Sequence, residues 1–189
     1  MNRRATLLTR AGLPVLLALM SLPMNATERS ASLYQMHEKL LNQDGKAIDL
    51  DVYRGKKVLV TMFYGSCPAT CPLIIDTLRA IEKKVDDPHR QDLRVLLVSL
   101  DSERDTPEAL RKLADSRRIE TSRWTLAHAD TGSVRRIAAA LSIQYKKLPD
   151  GQFSHSTIIS ALDADGKILV QSAELGHADP EVLKAIGVK

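Results

Sequence analysis

The run Val58-Leu59-Val60-Thr61-Met62-Phe63 is continuously apolar and β-branched, without alternation. That pattern predicts a central strand over residues 57–64, covered on both faces. Residues 93–100 repeat it. Between the two, Leu73, Ile74, Leu78 and Ile81 recur at helical spacing and predict a helix over 72–85 with one buried face. A further helix opens at Asp105-Thr106-Pro107-Glu108, with Thr106 as the cap, Pro107 at the first helical position and Glu108 complementing the dipole. It runs to about residue 118, and a short strand over 124–127 and a helix over 133–141 follow.

Two hairpins flank this series. Residues 40–50 turn at Asp44-Gly45, which supplies the positive-φ positions. Near the C-terminus, strands over 156–162 and 167–172 are joined by Asp163-Ala164-Asp165-Gly166, and a helix over 179–186 closes the chain. A βαβ half followed by a ββα half, preceded by a small hairpin, is an α/β arrangement of thioredoxin-like type with an N-terminal β-hairpin extension. No internal repeat, low-complexity stretch or linker interrupts it, so residues 27–189 read as one domain.

The N-terminus reads differently. Arg3, Arg4 and Arg10 precede an uncharged stretch over 11–22, and small residues gather around Ala26. This is the layout of a secretory signal over 1–26, with retention as an uncleaved signal anchor as the alternative. The stretch is shorter than the ~20 residues of a spanning helix, and Pro14 interrupts it. The expected location is therefore periplasmic or otherwise exported, soluble or N-terminally anchored. The net charge is +4, but three arginines and no acid lie in the first 26 residues, so the remainder carries only +1. With neither a basic stripe nor clustered aromatics in that remainder, the charge points to no nucleic-acid or anionic-membrane partner.

The chain has two cysteines, Cys67 and Cys71, in Gly65-Ser66-Cys67-Pro68-Ala69-Thr70-Cys71-Pro72. They lie after the first central strand and before its helix. Thiols spaced i, i+4 at such a junction can close a disulfide or direct two thiolates to one soft metal ion. Two cysteines are too few for a disulfide scaffold, although a local structural disulfide fits the spacing. In thioredoxin-like folds the helix dipole lowers the thiol pKa at this position. His155, in Gln152-Phe153-Ser154-His155-Ser156-Thr157, stands where such folds commonly carry a cis-proline facing the cysteine loop. Two thiolates and an imidazole suit Cu(I), and accommodate Cu(II).

These motifs, in this order, resemble the SCO/SenC family, thioredoxin-fold copper-binding proteins associated with assembly of the CuA centre of cytochrome c oxidase. The resemblance rests on four blocks: Cys67-Pro68-Ala69-Thr70-Cys71-Pro72, the stretch from Ser99 to Pro107, His155, and Asp163-Ala164-Asp165-Gly166-Lys167. It implies Cys67, Cys71 and His155 as metal ligands, with the imidazole within side-chain reach of both sulfurs. It also implies a copper-acceptor protein as partner, a cytochrome c oxidase subunit, and a thiol reductase as a second one. The chain departs from the family at Ala69, Thr70 and Ser154, where acidic residues are usual.

Three functions follow. In the first, an exposed loop carrying Cys67 and Cys71 holds copper with His155 and hands it to an exported acceptor. In the second, the same cysteines are a redox-active pair, Cys67 attacking and Cys71 resolving, which keeps acceptor cysteines reduced. The third is a redox or copper sensor. Asp101, Arg104 and Asp105 read either as groups supporting the thiols or as a self-satisfied helix lead-in. Met62 and Met36 read as core filler, Met36 in a strand-like segment, and Phe63 and Tyr64 as packing beneath the loop. His37, His89, His128 and His177 lack partners at ligand spacing, with His128 and His177 next in line after His155.

Overall fold

The computed structural model describes residues 32–68 and 70–188, so the signal expected over 1–26 lies outside the described residues. Among the described residues the main sheet has seven strands. In chain order they are β1 (Lys39–Asn42), β2 (Ala47–Asp49), β3 (Lys57–Phe63), β4 (Leu93–Ser99), β5 (Trp124–His128), then β8 (Ile159–Leu162) and β9 (Ile168–Ser172), with β6 (Tyr145–Lys147) and β7 (Phe153–His155) forming a separate two-stranded sheet. The spatial order is β2-β1-β5-β4-β3-β8-β9. Strands β3, β4 and β5 are parallel, and β8, β9 and the β1–β2 hairpin add antiparallel margins.

The continuous apolar runs are the centre of this sheet. Every residue of β3 after Lys57 is buried, as are all of β4 except Arg94 and all of β8. Helix α1 (Thr70–Lys84) connects β3 towards β4 and touches α5 (Pro180–Ala185), which also contacts β8 and β9. Between α1 and β4 lies a polar turn of helix, α2 (Asp87–Asp92), with no buried residue and hence no apolar signal in the sequence. Helix α3 (Pro107–Ser116) starts as expected, the Thr106 side chain accepting from Ala109 N–H at 3.2 Å. Helix α4 (Thr131–Ala140) begins two residues earlier than its apolar pattern indicates, because Asp130 caps the N–H groups of Gly132 and Ser133 at 2.8 and 3.0 Å.

Two expectations need correction. Met36 lies in a 3-10 helix, Leu33–Met36, whose Ser32 cap accepts from Tyr34 N–H. Residues 156–158 are outside β8: Ser156 N–H donates to the Gln144 carbonyl at 2.9 Å and Gln144 N–H to Ser156 Oγ at 3.0 Å, which ties this stretch to the β6–β7 hairpin. The β8–β9 turn is fixed by Gly166 at φ 79°, where a Cβ would stand 2.6 Å from the Tyr34 ring.

Candidate thiol and metal site

The site forms where β3 ends. In parallel register Phe63 pairs with Ser99, so the segment Tyr64–Gly65 lies beside the turn that follows β4. Asp105 crosses that gap. Its Oδ2 accepts from Gly65 N–H at 2.7 Å and from Ser99 Oγ at 2.5 Å. A Cβ on residue 65 would meet Asp105 Oδ1 at 2.6 Å, so only glycine permits this approach. Burial raises the Asp105 pKa, with the neighbouring Asp101 charge adding to it, while the two donated hydrogen bonds pull the other way. Asp101, 1 % exposed, pairs with the Arg104 guanidinium, which also donates to the Gly151 carbonyl in the β6–β7 turn. Asp105 thus supports the cysteine loop, and Asp101 with Arg104 supports the hairpin.

Helix α1 starts at Thr70, which puts Cys71 in its first turn. The Cys71 N–H, one of the donors a helix leaves open at its start, points to Cys67 Sγ at 3.3 Å. The cysteines are not joined as a disulfide. Ser66 and Pro68 are exposed but the cysteine side chains are not: Cys67 is 9 % and Cys71 4 % accessible, which corrects the expectation of an exposed thiol pair. The lowered thiol pKa expected from the helix dipole is also overturned at Cys71, where burial pushes the thiol up, with the Cys67 and Asp105 charges acting in the same direction.

Tyr64 connects these thiols to the hairpin. Its phenol is raised first by burial and then by its contact with Cys67, and its hydroxyl donates to Gln152 Oε1 at 2.9 Å. Its ring lies 5.3 Å from that of Phe153 and meets His155 edge-on at 5.9 Å. His155 is half-buried, with Nδ1 at 3.1 Å from the Ser156 carbonyl. Burial lowers its pKa, so the imidazole is neutral near pH 7, and a proton on Nδ1 leaves the Nε2 lone pair available. Cys67 and His155 therefore both lie against the Tyr64 side chain, and Cys71 lies against its backbone. Among the described residues, no group of three or more His, Cys, Asp or Glu side chains is gathered tightly enough to hold a metal ion.

The other histidines lie apart from this cluster or at its back. His128 Nδ1 is 3.2 Å from the Asp105 carbonyl, His89 pairs with Asp86 at 2.5 Å, and His177 lies 4.0 Å from Glu174. Met62 is fully buried core. Sequence reasoning gave Tyr64 only a packing role and passed over Gln152 and Phe153. Their signal was position: Tyr64 directly follows a central parallel strand, where binding groups collect in open α/β sheets.

A family model, SCO1/SenC, matches residues 26–186. The chain belongs to the SCO1/SenC family. A curated member from Bacillus subtilis, the SCO1 protein homolog, is 27 % identical over 131 residues, covering 68 % of this chain and 67 % of that relative. Among solved structures of the family, copper-bound ScoI from Bradyrhizobium japonicum superposes with a TM-score of 0.62 at 25 % identity, covering 79 % of this chain and 94 % of ScoI. BsSco, described as carrying a disulfide switch and as a member of the Sco family of cytochrome c oxidase assembly proteins, gives 0.63 at 24 % identity, with 80 % and 92 % covered. The fold is thus the thioredoxin-like fold of Sco proteins with extra N-terminal strands.

Proposed function

We propose that this chain is an exported copper carrier, holding one ion through Cys67, Cys71 and His155 and passing it to an acceptor protein, the CuA site of cytochrome c oxidase. The observation that carries the reading is the pair of sulfurs at the end of β3, with a helix N–H on one of them. Two thiol sulfurs and an imidazole form a soft donor set suited to Cu(I). Copper bound to a relative such as Bradyrhizobium ScoI supports the same cargo here. The hairpin that carries His155 shares no strand pairing with the main sheet, so a shift that brings the imidazole to the sulfurs breaks no ladder of the core strands.

One observation favours a second reading. A Cys71 thiol kept protonated by burial suits a resolving cysteine, and the Cys67–Cys71 dithiol has the two electrons and two protons needed to reduce an acceptor disulfide. Substituting His155 separates the two. For a copper carrier, His155→Ala weakens Cu(I) binding by about 10- to 100-fold in an anaerobic titration of the reduced protein, and oxidase assembly fails in copper-limited cells. Normal oxidase assembly in that mutant under copper limitation would leave the thiol reductase reading in its place.

A further inference from the structure

At the end of the sheet opposite the cysteines, the fold gathers basic groups that the sequence scatters. A pocket of about 230 Å³ is lined by Tyr53 and Arg54 after β2, Lys56 before β3, Arg94 at the start of β4, and Ser122, Arg123 and Thr125 around the start of β5. Four of its lining residues are cations and none is an acid. Lys56 is paired with Asp92 at 2.5 Å and Arg123 with Glu82 at 3.4 Å. Arg54 lies over the Tyr34 ring at 5.7 Å, and Arg94 donates to the carbonyls of Gln91 and Leu93. Among the described residues neither of these two arginines has a carboxylate partner. The absence of a basic stripe along the chain therefore did not exclude a basic site in space.

A second observation is independent of the charges. Tyr53 is 5 % exposed, and its hydroxyl is buried without a hydrogen-bond partner. The Thr125 hydroxyl, near but short of hydrogen-bond geometry, and the Arg94 charge both favour the phenolate, but burial dominates and pushes the pKa up to about 12. A buried hydroxyl left without a partner is destabilising, and such groups are rare in folded proteins. Here it belongs to a residue lining a pocket rich in guanidinium groups.

We propose that this pocket binds a phosphate-type oxyanion. Arg54 and Arg94 match its charge, and planar guanidinium groups donate in pairs to the oxygens of such an ion. The Tyr53 hydroxyl supplies a further donor, with those of Ser122 and Thr125 beside it. The phosphate belongs either to a free anion or to a lipid headgroup. For the second source, Val52 is 61 % exposed on the pocket's rim.

The test is thermal unfolding of the whole chain in sodium phosphate against sodium chloride at equal ionic strength. Phosphate should raise the Tm saturably where chloride does not. In Arg54→Gln/Arg94→Gln the phosphate concentration giving half the effect should rise at least about 10-fold, and in Tyr53→Phe, which keeps the core ring, about 3- to 10-fold. Equal effects of phosphate and chloride, or variants that respond as wild type, would overturn the proposal. Co-sedimentation with phosphatidylglycerol but not phosphatidylcholine vesicles, lost in the same variants, assigns the phosphate to a headgroup. A response to inorganic phosphate with no vesicle retention assigns it to a soluble anion.

Discussion

At the scale of single residues, the site is shaped by competition between burial and local donors. Cys71 shows which wins. It occupies the first turn of α1, where the dipole favours a thiolate, yet 4 % exposure leaves the charged form poorly solvated and the thiol is pushed up. In the Cys67→Ser variant, Cys71 should accordingly react with iodoacetamide at least about 10-fold more slowly than an ordinary thiol of pKa near 8.5. Mass spectrometry of the alkylated peptide from pH 7 to 9 reads this rate. Alkylation at the rate of an exposed cysteine would show that the loop opens in solution. The cysteine pair was legible as a candidate site from its spacing, and His155 as a candidate from the place it takes, facing the cysteine loop, in thioredoxin-like folds. The direction of the Cys71 shift was not, because it depends on burial and on the Asp105 charge, which only the fold brings to the sulfur.

At the scale of elements, legibility followed apolar content. Strands β3 and β4 and helix α3 were readable because each carries an uninterrupted apolar run or a complete start signal. The β6–β7 hairpin was not: Tyr145-Lys146-Lys147 and Phe153-Ser154-His155 are three residues each, two of the three polar, and buried only in part. The hairpin is held from outside by Arg104 to Gly151, Lys147 to Glu103 at 2.6 Å and Tyr64 to Gln152. Arg104→Ala should strand the buried Asp101 carboxylate and release the turn, at a cost of about 1.5–3 kcal/mol. Hydrogen exchange of the amides in residues 145–155 should then speed up about 10-fold or more, while those of β3 and β4 change little. Equal acceleration in the hairpin, β3 and β4 would refute a local role.

The N-terminal hairpin has its own clamp. Arg136 of α4 donates to Glu38 at 2.5 and 2.8 Å and holds that carboxyl below its ordinary 4.5, burial opposing. Because the folded-state value is depressed, the stabilisation is complete above pH 4.5 and is lost as pH falls below it. Glu38→Gln should therefore destabilise by about 1 to 2 kcal/mol at pH 6, Arg136 being exposed, and the difference from wild type should shrink towards pH 3. Urea midpoints at the two pH values decide it.

For the whole molecule, the sheet separates two ends, with thiols and imidazole beyond the C-terminal end of β3 and basic groups around the opposite end. Ligand binding at the first end should register as global stability. If copper binds the reduced native state, an ion held at a hundred times its Kd adds about 2.7 kcal/mol, seen as a rise in Tm. The air-oxidised protein, with its sulfurs paired, should show no such rise until a reductant is added. An equal rise before and after reduction would argue against thiol ligation.

The separate hairpin has a consequence for how members of such a lineage can diverge. The imidazole is borne on a cassette that pairs only with itself, while the sulfurs belong to the junction of the central strand β3 and helix α1. Length and sequence can drift in the cassette with little penalty to the sheet, since loop closure grows only slowly with length. Exchanging that one cassette between relatives should therefore transplant the preference among metals, or erase it and leave a bare dithiol, while the scaffold folds as before.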